Sequence, residues 1–313
     1  MTSEPALRLN ADVRRCSFGL AAVALLAIAG SSAHAQVFPH VTPEGLPNIQ
    51  SKSAIIVDLD SGEVLYEKNA DEVRPIASTS KIFTAMAVQR AEIDLEAATE
   101  ITAYDRTYAA RGARSRLLVG RAFRNLDLLR ALLIASDNRA ATALARAVGM
   151  TTEELVAKMN KIAEELGLEH TRLTDPSGLN GNESTARELA AAFQASLSDP
   201  LVAELMATPN VEVQSQDERN LTINYRNTNR SLHSAAHDVF AGKTGYTTPA
   251  LYCLLIAAEV EDRRLGMVFL GSYGRLTRFG DFGRASRWVS QLEAADEAQI
   301  ATSGDVRGLV PIN

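Results

Sequence analysis

The residues best placed to do chemistry are Ser78-Thr79-Ser80-Lys81, an S-x-x-K. On a helix, positions i and i+3 share a face, so Ser78 and Lys81 would project together into one site. A serine hydroxyl attacks poorly until a base takes its proton. A lysine can be that base once burial or nearby cations pull its pKa from about 10.4 toward about 7–8. Ser80 is adjacent to Lys81, and neighbouring side chains on a helix diverge, so Ser78 is the expected nucleophile. Two more motifs follow in order. Ser136-Asp137-Asn138 stands at a break between two helical patterns. A loop serine there can relay a proton between Lys81 and a leaving amine, and Asn138 can bind a substrate amide; the same residues could also simply cap the second helix. Lys243-Thr244-Gly245 lies directly before an expected strand. Gly245 would let a substrate approach the backbone closely, while Lys243 and Thr244 offer a charge and a hydroxyl to a carboxylate.

The elements that must position these groups can be read from the hydrophobic pattern. Ser53–Asp58 and 63–67 read as a hairpin around Asp60-Ser61-Gly62. Residues 78–90 read as a helix behind Pro75, and Leu126, Leu129 and Leu133 mark one face of another that runs into Ser136. Further helices are expected over 140–148, 152–166 and 185–196, the last ending near Asp199-Pro200. Strand character returns at 221–225, 251–260 and 265–270, and residues 276–292 read as a closing helix. Strands at both ends with helices between predict an α+β fold, in which one antiparallel sheet is assembled from both chain ends around a helical insert.

Composition narrows the setting. With 313 residues, 46% of them apolar, the chain can bury a core without disulfides. Arg14-Arg15, the apolar run 18–30 and Ala33-His34-Ala35 describe a secretory signal peptide over residues 1–35. Its thirteen-residue apolar run falls short of the roughly 20 that a membrane span needs. No transmembrane anchor is expected after its removal, and the protein is expected to be secreted into the periplasm. Residues 36–295 then form the catalytic domain and 296–313 a flexible tail. Cys16 lies in the leader, which leaves Cys253 in an apolar strand and no disulfide framework. A net charge of −6 argues against nucleic-acid binding. The arginine-rich stretch 106–124 is a local exception, either a solvated surface or a patch facing an anionic polymer.

The three motifs in this order, separated by 58 and 107 residues, form the set found in class A β-lactamases and penicillin-binding proteins. Beyond them, Asp175–Leu179 (DPSGL), Ser184–Ala190 (STARELA), Tyr225–Asn229 (YRNTN) and Lys243–Thr247 (KTGYT) resemble the D-alanyl-D-alanine carboxypeptidase/endopeptidase family of low-molecular-mass penicillin-binding proteins. The likeness is to its endopeptidase branch in particular and spans about residues 52–292. It implies a β-lactamase/transpeptidase-like fold and an acyl-enzyme on Ser78, with Lys81 as base and Ser136 as proton shuttle. Asn138 would hold the substrate backbone and Lys243 would support Ser136. The N–H groups of Ser78 and Tyr246 would form an oxyanion hole. Peptidoglycan stem peptides would be substrates and β-lactams covalent inhibitors, with no cofactor or metal. Thr248-Pro249-Ala250-Leu251 stands where the family commonly has small residues and a glycine. The chain also ends soon after the catalytic domain, which favours the endopeptidase over the carboxypeptidase.

Other readings have less behind them. A class A β-lactamase needs a glutamate in an E-x-x-L-N segment for deacylation, and Leu179-Asn180 has Pro176 in that place. A catalytically silent wall-binding or β-lactam-sensing module would not need all three motifs intact. His233 and His237 stand four apart without an H-E-x-x-H, a weak metal signal. Arg226 and Arg230 are candidates for carboxylate contact or for surface ion pairs.

Overall fold

A computed structural model describes residues 39–304 apart from Arg219, with the side chains of 296–304 left aside. The expected signal peptide and residues 305–313 lie outside the described residues. Along the chain, β1 (Ser53–Asp58), β2 (Val64–Lys68) and β3 (Arg74–Pro75) lead into a 3-10 turn, Ala77–Ser80, and α1 (Lys81–Gln89). Then come β4 (Ala98–Glu100), α2 (Ala103–Tyr108), β5 (Ala122–Arg124), α3 (Asn125–Leu133), α4 (Asn138–Ala147) and α5 (Thr152–Glu165). The second half holds β6 (Glu183–Ser184), α6 (Ala186–Leu197), α7 (Pro200–Ala207), β7 (Asn210–Gln214) and β8 (Thr222–Arg226). It closes with β9 (Asp238–Thr247), β10 (Leu251–Val260), β11 (Arg263–Ser272) and α8 (Thr277–Gly304).

The fold is α+β, and its main sheet runs in the order β2-β1-β11-β10-β9, antiparallel throughout. Strand alternation divides its side chains between two layers. Ala54, Ile56, Leu254, Ile256, Met267 and Phe269 pack under Phe282, Trp288 and Val289 of α8. Ile55, Leu255 and Val268 face the helical insert. Within that insert α1 is buried on all sides from Lys81 to Val88, Lys81 and Thr84 included. It carries the S-x-x-K lysine into the core, which has a direct electrostatic consequence described below.

The structure changes several expected boundaries. Ser78 sits in a 3-10 turn rather than inside an α-helix. The turn winds at three residues per turn, so i and i+3 eclipse and Ser78 still faces Lys81. Lys243-Thr244-Gly245 does not precede its strand but lies within β9, the sheet edge, where glycine and lysine hid the strand pattern. Asp199-Pro200 ends one helix and starts another. The Asp199 carboxylate accepts from the N–H groups of Leu201 and Val202, and Pro200 at N1 opens α7. Helix α2 and strand β7 were not visible in the pattern at all, and α8 runs past Leu292 to Gly304.

Candidate active site

Lys81 is fully buried. Its Nζ lies 2.8 Å from Ser78 Oγ and 2.8 Å from Asn138 Oδ1, and it also contacts the Ser177 carbonyl oxygen. Burial pushes its pKa down to about 7, and Asp175 and Asp137 partly offset the shift. A neutral amine has two N–H bonds and one lone pair. Asn138 Oδ1 and the Ser177 carbonyl can only accept, so they take the two hydrogens. In that form the lone pair is free to take the Ser78 proton, once the Ser78 hydroxyl turns from the Ser177 carbonyl to which it donates at 3.2 Å.

Each neighbour of this pair is held in turn. Ser136 adopts φ 59°, a left-handed conformation that costs a non-glycine residue energy and aims its side chain into the cleft. Its Oγ accepts from Lys243 Nζ at 2.9 Å, while Lys243 also donates to the Thr244 carbonyl at 2.9 Å. Lys243 is fully buried, and desolvation, then Lys81, then Arg278 drive its pKa well below the usual lysine range. Asp137 caps α4 by accepting from the Arg139 N–H at 3.0 Å, which fixes Asn138 at the first helical position. The capping and catalytic readings of S-D-N are therefore compatible.

The edge strand completes the site. A Cβ added to Gly245 would lie 3.0 Å from the Ile76 carbonyl oxygen and 3.1 Å from Ser78 N, so β9 presses its backbone against the turn that carries Ser78. Thr244 Oγ1 donates to Thr228 Oγ1 at 2.7 Å, and Thr228 N donates to the Ile134 carbonyl. That segment links β9 to the end of the S-D-N approach. Tyr246 is half exposed and stacks on Tyr252 with ring centroids 4.4 Å apart. All eight expected residues, Ser78, Lys81, Ser136, Asn138, Lys243, Thr244, Gly245 and Tyr246, thus meet at one place. Six of them line a cleft of about 850 Å3, and the two buried lysines stand behind it.

Comparison with known proteins places the chain in a family. The family model for D-alanyl-D-alanine carboxypeptidases matches residues 40–274. A D-alanyl-D-alanine endopeptidase of Pseudomonas aeruginosa is 35% identical over 85% of this chain and 88% of its own length. Its namesake in Escherichia coli K12 is 33% identical over 79% and 80%. The solved Streptomyces K15 DD-transpeptidase superposes with a TM-score of 0.73 at 26% identity, covering 77% of this chain and 97% of that one. The chain belongs to the D-alanyl-D-alanine carboxypeptidase family. It is a serine peptidase of that family, whose members work through an acyl-enzyme.

Within this family member, two contributors escaped motif-based reading. The Ser177 carbonyl is a backbone group, oriented because the buried Asp175 carboxylate accepts from Ser177 N and Ser177 Oγ at 2.8 Å and from Asn180 N at 2.9 Å. The DPSGL segment carried that information only as a resemblance. Arg278, buried on α8, donates to the carbonyls of Gly245 at 2.8 Å and Cys253 at 2.7 Å. Desolvation lowers its pKa to about 10, and it forms no ion pair among the described residues. With Arg111, Arg230 and Arg275 it lines a cleft that no Asp or Glu lines, so the cleft is cationic in a chain of net charge −6. Pro249 lies at its rim, beside Leu251 at φ 58°. Among the described residues no three His, Cys, Asp or Glu side chains converge as a metal site would require, and no helix is long and apolar enough to cross a membrane.

Proposed function

We propose that the protein is a periplasmic D-Ala-D-Ala endopeptidase that hydrolyses cross-links between peptidoglycan stem peptides. Lys81, in its neutral form, takes the Ser78 proton as Ser78 Oγ attacks the D-alanyl carbonyl. The N–H groups of Ser78 and Tyr246 receive the developing oxyanion, a contact whose loss typically costs about 3–4 kcal/mol of transition-state stabilisation. Ser136, supported by Lys243, passes the proton to the departing amine. Asn138 and the edge of β9 hold the peptide backbone, with Thr244 and Gly245 beside the scissile bond. Water then releases the acyl group from Ser78. No metal or cofactor takes part, and β-lactams would acylate the same serine.

The observation that carries this reading is the buried Lys81 amine 2.8 Å from Ser78 Oγ, held also by Asn138 Oδ1 and the Ser177 carbonyl. The choice of cross-links over terminal D-alanine is supported by the two relatives named endopeptidases. The leader-like sequence of residues 1–35 supports export. Incubation with purified cross-linked muropeptide dimers and with monomeric pentapeptides tests the reading. Conversion of dimers to monomers is the expected result; release of free D-alanine with dimers left intact would make the protein a carboxypeptidase instead.

A further inference from the structure

Behind Ser136 and Asp137 lies a second cavity of about 190 Å3 that shares Ala113, Ala135 and Ser136 with the catalytic cleft. Three segments build its wall. The loop after α2 brings Arg114 and Arg116, β8 brings Tyr225 and Arg226, and the S-D-N turn brings Asp137. Asp137 is the one acid lining it, and its carboxylate is already occupied. Besides capping α4 it accepts from Ser115 Oγ at 2.8 Å and from the Tyr225 hydroxyl at 3.2 Å. Among the described residues, none of the three arginines forms an ion pair. Arg116 is held instead by donating to the Asn224 carbonyl at 2.6 Å and by stacking 4.5 Å over the Tyr225 ring.

Three arginines, each exposed, therefore line a small space with a single, already hydrogen-bonded carboxylate. Crowding like charges in this way is unfavourable, and an entering anion offsets it. Planar guanidinium groups match a carboxylate with two parallel hydrogen bonds. Because the pocket opens beside Ser136, the anion that reaches it belongs to the molecule whose reacting bond lies at Ser78. The volume admits a carboxylate on a short stem.

We propose that Arg114, Arg116 and Arg226 form a subsite for a non-reacting carboxylate of the stem peptide, so that the enzyme favours stems with free carboxylates over amidated ones. This rests on the reading of the cleft as a stem-peptide site. These arginines are partly solvated, so the preference weakens as salt rises.

The test compares two cross-linked dimers that differ only in whether the stem carboxylates are free or amidated. The free-carboxylate dimer is expected to show a kcat/KM roughly 10-fold higher, one factor of ten corresponding to about 1.4 kcal/mol. In Arg114→Gln/Arg226→Gln that ratio should fall toward one, mainly through a raised KM for the free form. The two single variants, at exposed positions, serve if the double variant does not fold. Calorimetric binding of both dimers to Ser78→Ala gives a second readout that needs no turnover. Discrimination in binding without any cleavage by the wild type would sink the endopeptidase reading and leave the subsite standing. Equal affinity for the two dimers, or an undiminished preference in the arginine variants, would overturn the subsite.

Discussion

Lys81 shows how one residue's environment decides its chemistry. An exposed lysine is almost wholly protonated at neutral pH and cannot accept the Ser78 proton. Burial on every side of α1 removes water from the ammonium form and brings the pKa to about 7, with Asp175 and Asp137 limiting the fall. The base is the neutral form, which gains population as pH rises through that value. The rate of Ser78 acylation should therefore climb between about pH 6 and 8 and level off above, as stopped-flow acylation by a chromogenic β-lactam would show. A limb centred near the usual lysine value of 10.5 would mean that Lys81 stays charged and another group is the base. The S-x-x-K spacing made the pair legible, but not what fixes the lone pair. Asn138 Oδ1 could be guessed from S-D-N, whereas the Ser177 carbonyl has no sequence signature because every residue has one.

At the level of elements, the site depends on backbone segments approaching closer than side chains allow. Gly178 has φ +80°, and a Cβ there would lie 2.4 Å from the Ala77 carbonyl oxygen and 2.7 Å from Ser78 N. Only glycine both adopts that conformation and clears the nucleophile turn. Gly178→Ala is expected to lower stability by roughly 1–3 kcal/mol and to displace the Ser177 carbonyl. Thermal unfolding and β-lactam acylation of the same sample would both report it, and an unchanged acylation rate would detach the 175–179 loop from catalysis. Gly245 plays the matching part on β9, where the close approach to Ser78 N is tight but not forbidden. Sequence patterning found the sheet hairpins and most of the helices because their apolar periods are regular. It misplaced the K-T-G because residues 238–247 include two glycines and a lysine that are buried by the neighbouring turn and helices rather than by alternation. It also took Asp199-Pro200 as a stop, since the cap of a new helix and the end of an old one use the same residues.

Across the whole molecule, the three motifs come together because the two chain ends share one sheet. β1 pairs with β11, and β9 reaches the nucleophile turn from the far edge of the same sheet. The join is locked by Asp281 of α8, whose carboxylate accepts from Gln50 N at 2.7 Å and Ser51 N at 2.8 Å. This overall plan was legible from strands at both ends and helices between. Arg278 was not, because it sits in what reads as the polar pattern of a surface helix and becomes a site residue only once α8 lies across β10. The account stands on Ser78 being the residue that is acylated. Mass spectrometry of peptides from protein incubated with benzylpenicillin tests that directly. One adduct on Ser78, absent from Ser78→Ala, is the predicted result; an adduct on Ser80 or Ser136, or one that persists in Ser78→Ala, would contradict it.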